Sequence, residues 1–277
     1  MQIGIGTYAY RWGIGRGSFV PERPLTPFDI LGKAKQHGVN LVQFADNLPL
    51  TTLSNAELSD LSRKARDLGV TIELGAEGLN AAVIEAHLEI AAALDAHLVR
   101  VAPSAADAAR SNAAIATDLA AVMPVCLAQD VTIAVENHFH VPSPRLIDLV
   151  MRVASPQFGV CLDVANSIAC FEWPGETIAL LAPHAVNLHL KDYRLVLDPT
   201  GVGMTFTGVP LGQGLTDIDG VLDALAGKDL NIILEHWLPL AADPAQTLRL
   251  EDEWLARSIT TIRDRLSRRD AAAAKDH

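Results

Sequence analysis

Paired cysteines, runs of basic charge and long uninterrupted apolar stretches are all missing from this chain, and each absence removes a class of function. Only Cys126, Cys161 and Cys170 are present, with no CxxC spacing, so neither a disulfide framework nor a structural zinc site is expected. Cys161, two residues before Asp163 in an apolar run, reads as a small core residue. Acidic residues number 33 against 22 Lys and Arg, a formal net charge of −11, with no long Lys/Arg run. Such a surface repels phosphate backbones and anionic lipid, so no nucleic acid and no membrane are expected as partners. No segment reaches the roughly 18 consecutive apolar residues of a membrane span. The opening MQIGIGTYAY lacks the basic region and apolar run of a signal peptide, and the location expected is cytoplasmic. Gly4-Ile-Gly6 is followed by Ala9 where a dinucleotide fingerprint requires glycine, and no Gly-Lys-Ser/Thr occurs, so a phosphate loop is not expected either.

What is present is a regular alternation. Eight apolar, β-type stretches recur along the 277 residues: IGIGTYAY from Ile3, LVQFAD from Leu41, VTIELGAE from Val70, LVRVAP from Leu98, TIAVENHFH from Thr132, FGVCLDVAN from Phe158, VNLHLKD from Val186 and NIILEHW from Asn231. Helix-length segments with end signals lie between them. Ser54 and Glu57 form a capping box for a helix that stops at Gly69, Gly38 and Gly227 read as helix-ending glycines, and Ser143-Pro144 reads as N-cap and first residue of the fifth helix. Thr216 to Asp219 opens the seventh. Strands alternating with helices predict a parallel sheet, and eight units without a composition break predict an α/β fold, a single (β/α)8 TIM barrel over residues 1–266. The tail 267–277, SRRDAAAAKDH, has nothing to bury and is expected to be disordered. Two connections are long and glycine-rich, Arg11 to Pro27 and Tyr193 to Gly214, and such loops at the C-terminal ends of barrel strands carry lids and substrate contacts.

The last four strands end in Asp, Glu or His. A barrel brings such ends to one rim, so Glu136, Asp163, His189 and Glu235 are predicted to converge. Three carboxylates in a low-dielectric cup repel one another, and a cation must sit among them. Three oxygen donors and one imidazole suit one divalent metal ion, Mn, Mg or Co, with Zn also compatible, and leave positions open for substrate.

Other residues surround this set. Lys191 shares a face with His189 and is read either as the holder of a substrate oxyanion or as a buried partner of the carboxylates. Arg100, in the middle of the fourth strand, needs a buried carboxylate or a substrate acid, and the ion pair is favoured. His138 shares a face with Glu136 and is read as a substrate contact or a rim histidine; His140 is the weaker candidate. Trp237 is read as a wall under a sugar or as packing, Asn137 as an orienting group for Glu136, and Tyr8, Arg11 and Trp12 as closing the cup from the opposite side.

The segments VENH, GVCLDVANS, VNLHLKDY and VPLGQG resemble those of the xylose-isomerase-like TIM barrels of the sugar isomerase and epimerase superfamily, over nearly the whole chain from Ile3. The resemblance implies that Glu136, Asp163, His189 and Glu235 bind a divalent metal, and that Glu136 and Glu235 exchange a substrate proton on opposite faces. One position departs from the pattern. Many of the family's epimerases carry a substrate-contacting histidine three residues after the metal aspartate, and here Asn166 stands there, which orients a hydroxyl but cannot shuttle a proton. The family's endonuclease branch, with its many zinc histidines and basic loops, is disfavoured by nine histidines in all and the acidic balance.

The expected activity is therefore a metal-dependent isomerase or epimerase acting on a ketose through an enediolate, with Glu136, Glu235 and Lys191 as catalytic groups and a small-molecule carbohydrate as the partner. The alternative keeps the site and makes it a lyase, a decarboxylase or dehydratase of a 3-keto sugar acid, with Arg11, Arg100, Lys191 and Arg194 as candidate carboxylate clamps. A third reading is a sugar-binding barrel without catalysis. Substrate, metal identity and any homo-oligomer are not fixed by the sequence.

Overall fold

A computed structural model of the protein describes residues 1–274. In chain order its strands are β1 (Ile3–Gly6), β2 (Leu41–Phe44), β3 (Thr71–Glu77), β4 (Leu98–Ala102), β5 (Thr132–Glu136), β6 (Phe158–Asp163), β7 (Ala185–Leu190), β8 (Asp192–Leu197), β9 (Met204–Val209) and β10 (Asn231–Leu234). The helices are α1 (Arg11–Ile14), α2 (Pro27–Gln36), α3 (Asn55–Leu68), α4 (Ala81–Leu94), α5 (Ala105–Ala108), α6 (Asn112–Gln129), α7 (Ser143–Val153), α8 (Pro174–Leu181), α9 (Ile218–Ala224) and α10 (Pro244–Ala273). Strands β1 to β7 and β10 pair in parallel and close into a TIM barrel, β10 sealing the gap between β7 and β1. Helices cover the outside, so the strands are buried on both faces. This is why β4 and β6 read as almost uninterrupted apolar runs.

Register sets the position of each strand end. Asp163 lies opposite His189 in the β6–β7 ladder and Glu136 opposite Cys161 in the β5–β6 ladder. The Glu235 N–H donates to Leu190 O at 3.2 Å, carrying the β10–β7 pairing to the rim. β1 ends in Gly6 for a steric reason: a Cβ there would lie 3.0 Å from Glu235 Cγ.

The end signals hold with small shifts. α3 is opened by the Ser54–Glu57 box and ends at Gly69 in the left-handed region, φ 65°. α7 begins one residue earlier than its sequence suggests, with Pro142 as N-cap. Ser143 instead donates its N–H and hydroxyl to Glu172, at 2.8 and 2.5 Å. α6 is long and apolar enough to cross a membrane by length and a hydropathy of 1.3. Here it is one of the barrel's covering helices, with Ile115, Leu119, Val122 and Cys126 buried in the core.

Two expectations are corrected. α10 continues past Ser267 to Ala273, because Arg265 and Arg269 on successive turns pair with Asp219 and Asp223 of α9, so the helix does not end at Leu266. Residues 275–277 of the expected tail lie outside the described residues. The stretch from Tyr193 to Gly214 is no simple loop: β8 and β9 form an antiparallel hairpin, and Phe206 packs against Trp237 with ring centroids 5.2 Å apart. The VPLGQG segment that follows is shaped by Asp192, whose carboxylate accepts the N–H groups of Gly212, Gly214 and Thr216 at 2.9, 2.8 and 3.0 Å. A Cβ on Gly214 would come within 2.2 Å of Tyr193 O, which is why glycine is required.

Candidate metal centre at the barrel rim

Glu136, Asp163, His189 and Glu235 do meet: one ligand atom from each lies within 4.8 Å of all the others, and all four residues are buried. His189 Nδ1 is central, 3.1 Å from Glu136 Oε1, 3.5 Å from Glu235 Oε1 and 4.0 Å from Asp163 Oδ2. Each carboxylate is oriented by one oxygen. Asp163 Oδ1 accepts the N–H groups of Ala165 and Asn166 at 2.8 and 2.9 Å, and Glu136 Oε2 pairs with the Arg100 guanidinium. Asp163 Oδ2 and Glu235 Oε1 are buried and accept no hydrogen bond, although the Lys191 ammonium lies 2.7 Å from the former. An orphaned Glu235 Oε1 and an Asp163 Oδ2 met only by the Lys191 ammonium, beside an imidazole nitrogen, make a donor set that a divalent cation would complete, and the residues present fit one.

Electrostatics explain how so much charge is buried. Burial pushes the Glu136 carboxyl up, but Arg100 and then His189 hold it well below the usual range. Glu235 is raised by burial and then pulled to about 2 by His189 and Lys191. Asp163 is pushed by burial up to about 6, with Lys191 only partly compensating. Burial disfavours the His189 imidazolium, yet the acidic groups around it carry that ring well above its ordinary value.

A cleft of about 290 Å³ opens above this cluster. Of the residues singled out from the sequence, Arg11, Arg100, Glu136, His138, Asn166, Lys191, Glu235 and Trp237 line it, as does Tyr8. Asp163 and His189 are fully buried and are not among its lining residues. Arg100 is committed to Glu136 and, at 3.1 Å, to Asp46, so it is not free to clamp a substrate acid. Lys191 is a buried partner of the carboxylates, pairing with Asp163 and with Glu235 at 3.0 Å, and its ammonium also lines the cleft 5.0 Å from the Trp237 ring centroid. Asn166 donates to Glu136 Oε1 at 3.1 Å.

Trp12 is not brought to the cleft. Its indole N–H donates to Leu238 O at 2.8 Å and its ring edge meets Phe19, which ties down the loop after β1. Arg194 is exposed on the hairpin and donates to Gln213 O. Asn137 does not orient Glu136; it exchanges hydrogen bonds with the Asp163 backbone at 2.7 and 2.8 Å, locking β5 to β6. Gln43, Asp46, Glu73 and Asn187, which support the site, had not been singled out. Their signal was a lone polar residue inside or just after an apolar strand.

A closed parallel barrel with an acidic, imidazole-bearing cup at its C-terminal rim is a TIM barrel with a candidate metal site. The chain belongs to the xylose isomerase-like TIM barrel family, whose model matches residues 31–258. It is 34% identical over 264 residues to 3-oxo-isoapionate decarboxylase of Pectobacterium atrosepticum, covering 95% of each chain. Among solved structures, it resembles D-psicose 3-epimerase with D-tagatose from Clostridium cellulolyticum H10, with a TM-score of 0.70, 16% identity and coverage of 95% of this chain and 98% of that one. A xylose isomerase-like TIM barrel protein from Mycobacterium smegmatis in complex with magnesium gives a TM-score of 0.68 at 14% identity, covering 94% and 97%. At these identities the two structures speak to the fold alone. Family and relatives together support an enzyme.

Proposed function

We propose that this chain is a divalent-metal-dependent decarboxylase of a 3-oxo sugar acid, the lyase alternative of the sequence reading. The observation that carries the proposal is Arg11. It lines the cleft, its Nε is buried without a hydrogen-bond partner, and it makes no ion pair among the described residues. Arg100 and Lys191, the buried cations of the cup, are already held by protein carboxylates. The Arg11 guanidinium is half-buried, stacks 5.5 Å from the Tyr8 ring centroid and has no carboxylate partner among the described residues, so an anion is what would complete it, and a substrate carboxylate is the anion that fits. The 34% identical decarboxylase supports the same reaction class.

Glu136, Asp163, His189 and Glu235 would hold the ion, which supplies Lewis-acid polarisation of a substrate carbonyl when bound. Arg11 binds the carboxylate. In a 3-oxo acid the bond from the carboxylate carbon to C2 breaks, and its electron pair moves into C2–C3 to give an enolate while CO2 leaves. Lys191 faces the cleft and holds the developing oxyanion. A proton taken up from solvent then enters at C2, relayed by Glu136 or Glu235. Trp237 and His138 wall the substrate. Asn166 holds Glu136 in place of a proton-shuttling histidine, which disfavours simple epimerisation.

A ketose isomerase or epimerase is the second reading, favoured by two glutamates flanking His189. A panel of 3-oxo-aldonates and neutral ketoses, assayed for CO2 release and for solvent-deuterium incorporation, separates the two. CO2 from an oxo acid is the expected result; deuterium exchange into a neutral ketose with no acid turned over would retire the decarboxylase in favour of the isomerase.

A further inference from the structure

We propose that Gln43 is a positioning residue for the metal centre: it fixes the His189 ring with Nε2–H turned into the barrel and Nδ1 turned toward the three carboxylates. The inference rests on the metal reading of the cup and is indifferent to which reaction follows.

It follows from the donors and acceptors around Glu73. Glu73, buried on β3, receives three side-chain amides: Asn231 Nδ2 at 2.7 Å on one oxygen, and Gln43 Nε2 and Asn187 Nδ2, each at 3.1 Å, on the other. Burial pushes the Glu73 carboxyl up while the three amides oppose that shift, and as a carboxylate it accepts and does not donate, so Gln43 and Asn187 both turn their NH2 groups to it. Asn187 Oδ1 is then left to accept the second Gln43 N–H at 3.3 Å. With both donors spent, the Gln43 amide can offer His189 only its oxygen, which lies 2.7 Å from Nε2. The hydrogen on that side is therefore carried by the ring. The nitrogen whose lone pair a cation can take is Nδ1, and Nδ1 is the atom lying 3.1 to 4.0 Å from the carboxylate oxygens of the cup.

Gln43, Glu73, Asn187 and His189 are each at most 4% exposed, so water is not at hand to satisfy a turned amide. Reversing Gln43 would point N–H at N–H and leave the Glu73 oxygen short of a donor. The column thus transmits an orientation from β3 through β2 to β7, and Glu73 sets it although it touches no ligand. A hydrogen bond to the far nitrogen of a metal-binding histidine fixes its tautomer and raises its basicity.

Zinc is the test ion, measured by competition with a chromophoric chelator and by 15N NMR of the imidazole. In the zinc-loaded unsubstituted protein, His189 should show a protonated Nε2 and a zinc-bound Nδ1. Gln43→Leu should weaken zinc binding about 10- to 100-fold, and the exchanged pair Gln43→Glu with Glu73→Gln, which again presents an acceptor to Nε2, should restore it. Zinc found on Nε2, or a Gln43→Leu protein that binds zinc within about twofold of the unsubstituted chain, would overturn the role of Gln43 while leaving the metal site standing. Failure of the unsubstituted protein to bind zinc would instead sink the metal reading and this inference with it. Should Gln43→Leu not fold, the NMR tautomer still decides.

Discussion

The two halves of the barrel contribute to the cup in different ways. The late strands, β5, β6, β7 and β10, deliver the candidate ligand set, three carboxylates and an imidazole within one residue of strand ends. The early half supplies what makes that set tolerable: Arg100 from β4 beside Glu136, Arg11 after β1, and the Gln43–Glu73 pair from β2 and β3 beneath His189. Glu136 takes its counter-charge from Arg100 on the neighbouring strand β4, whereas Asp163 and Glu235 take theirs from Lys191 and His189 of the late half itself. A site built this way depends on the early half for the charge balance of Glu136, even though that half offers none of the four clustered groups.

The division can be broken at several points. The largest effect is expected at Arg100. Its side chain is 3% exposed and pairs with a fully buried Glu136, so Arg100→Met leaves an uncompensated charge and should cost about 3–5 kcal/mol of metal-free stability; denaturant unfolding that shifts by less than about 1 kcal/mol would show that Glu136 does not depend on the early half.

Next comes Glu251 of α10, which accepts the N–H groups of Trp12 and Gly13 at 2.7 and 3.0 Å and so holds the short helix bearing Arg11. Burial pushes its carboxyl from 4.5 to about 7. A raised folded value means stability present in full below about pH 4.5 and lost as pH rises through about 7, a change of about 3 kcal/mol. Glu251→Gln should flatten that window, read as the difference in unfolding free energy between pH 4.5 and 8.

A smaller effect follows at Arg11. Replacing it by Leu removes a charge-assisted contact worth about 1.5–3 kcal/mol, so KM for an acid substrate should rise by about one to two orders of magnitude with kcat changed less. An unchanged KM would leave the early half without a substrate role. The smallest effect is at Trp12, where Phe loses the hydrogen bond to Leu238 O and part of the ring contact with Phe19, about 1 kcal/mol by thermal unfolding, with KM unaltered.

The same division explains what could be read from the sequence. Eight apolar runs separated by capped helices gave the barrel. Glu136, Asp163, His189 and Glu235 were visible because a charged residue at the end of a buried strand has no structural reason to be there. Gln43 and Glu73 lie inside their strands, and a single polar residue in an apolar run does not say which partner it will find across the barrel. Their partners Asn187 and Asn231 are 144 and 158 residues away in the chain. Trp12 was misplaced because nothing local says that Leu238 and Glu251 wait behind it, and the β8–β9 hairpin was hidden by glycines that read as loop. The end of α10 was missed because its last turns are held by ion pairs to α9 rather than by an apolar stripe.

The central claim is that the four rim residues form a divalent metal site. Its most direct test is an anomalous difference map from crystals of the unsubstituted protein soaked in Mn2+, recorded beside crystals of Asp163→Asn. A single peak among Glu136, Asp163, His189 and Glu235, absent from the variant, is the predicted result; no peak in that cluster, or one that persists unchanged in Asp163→Asn, would contradict it.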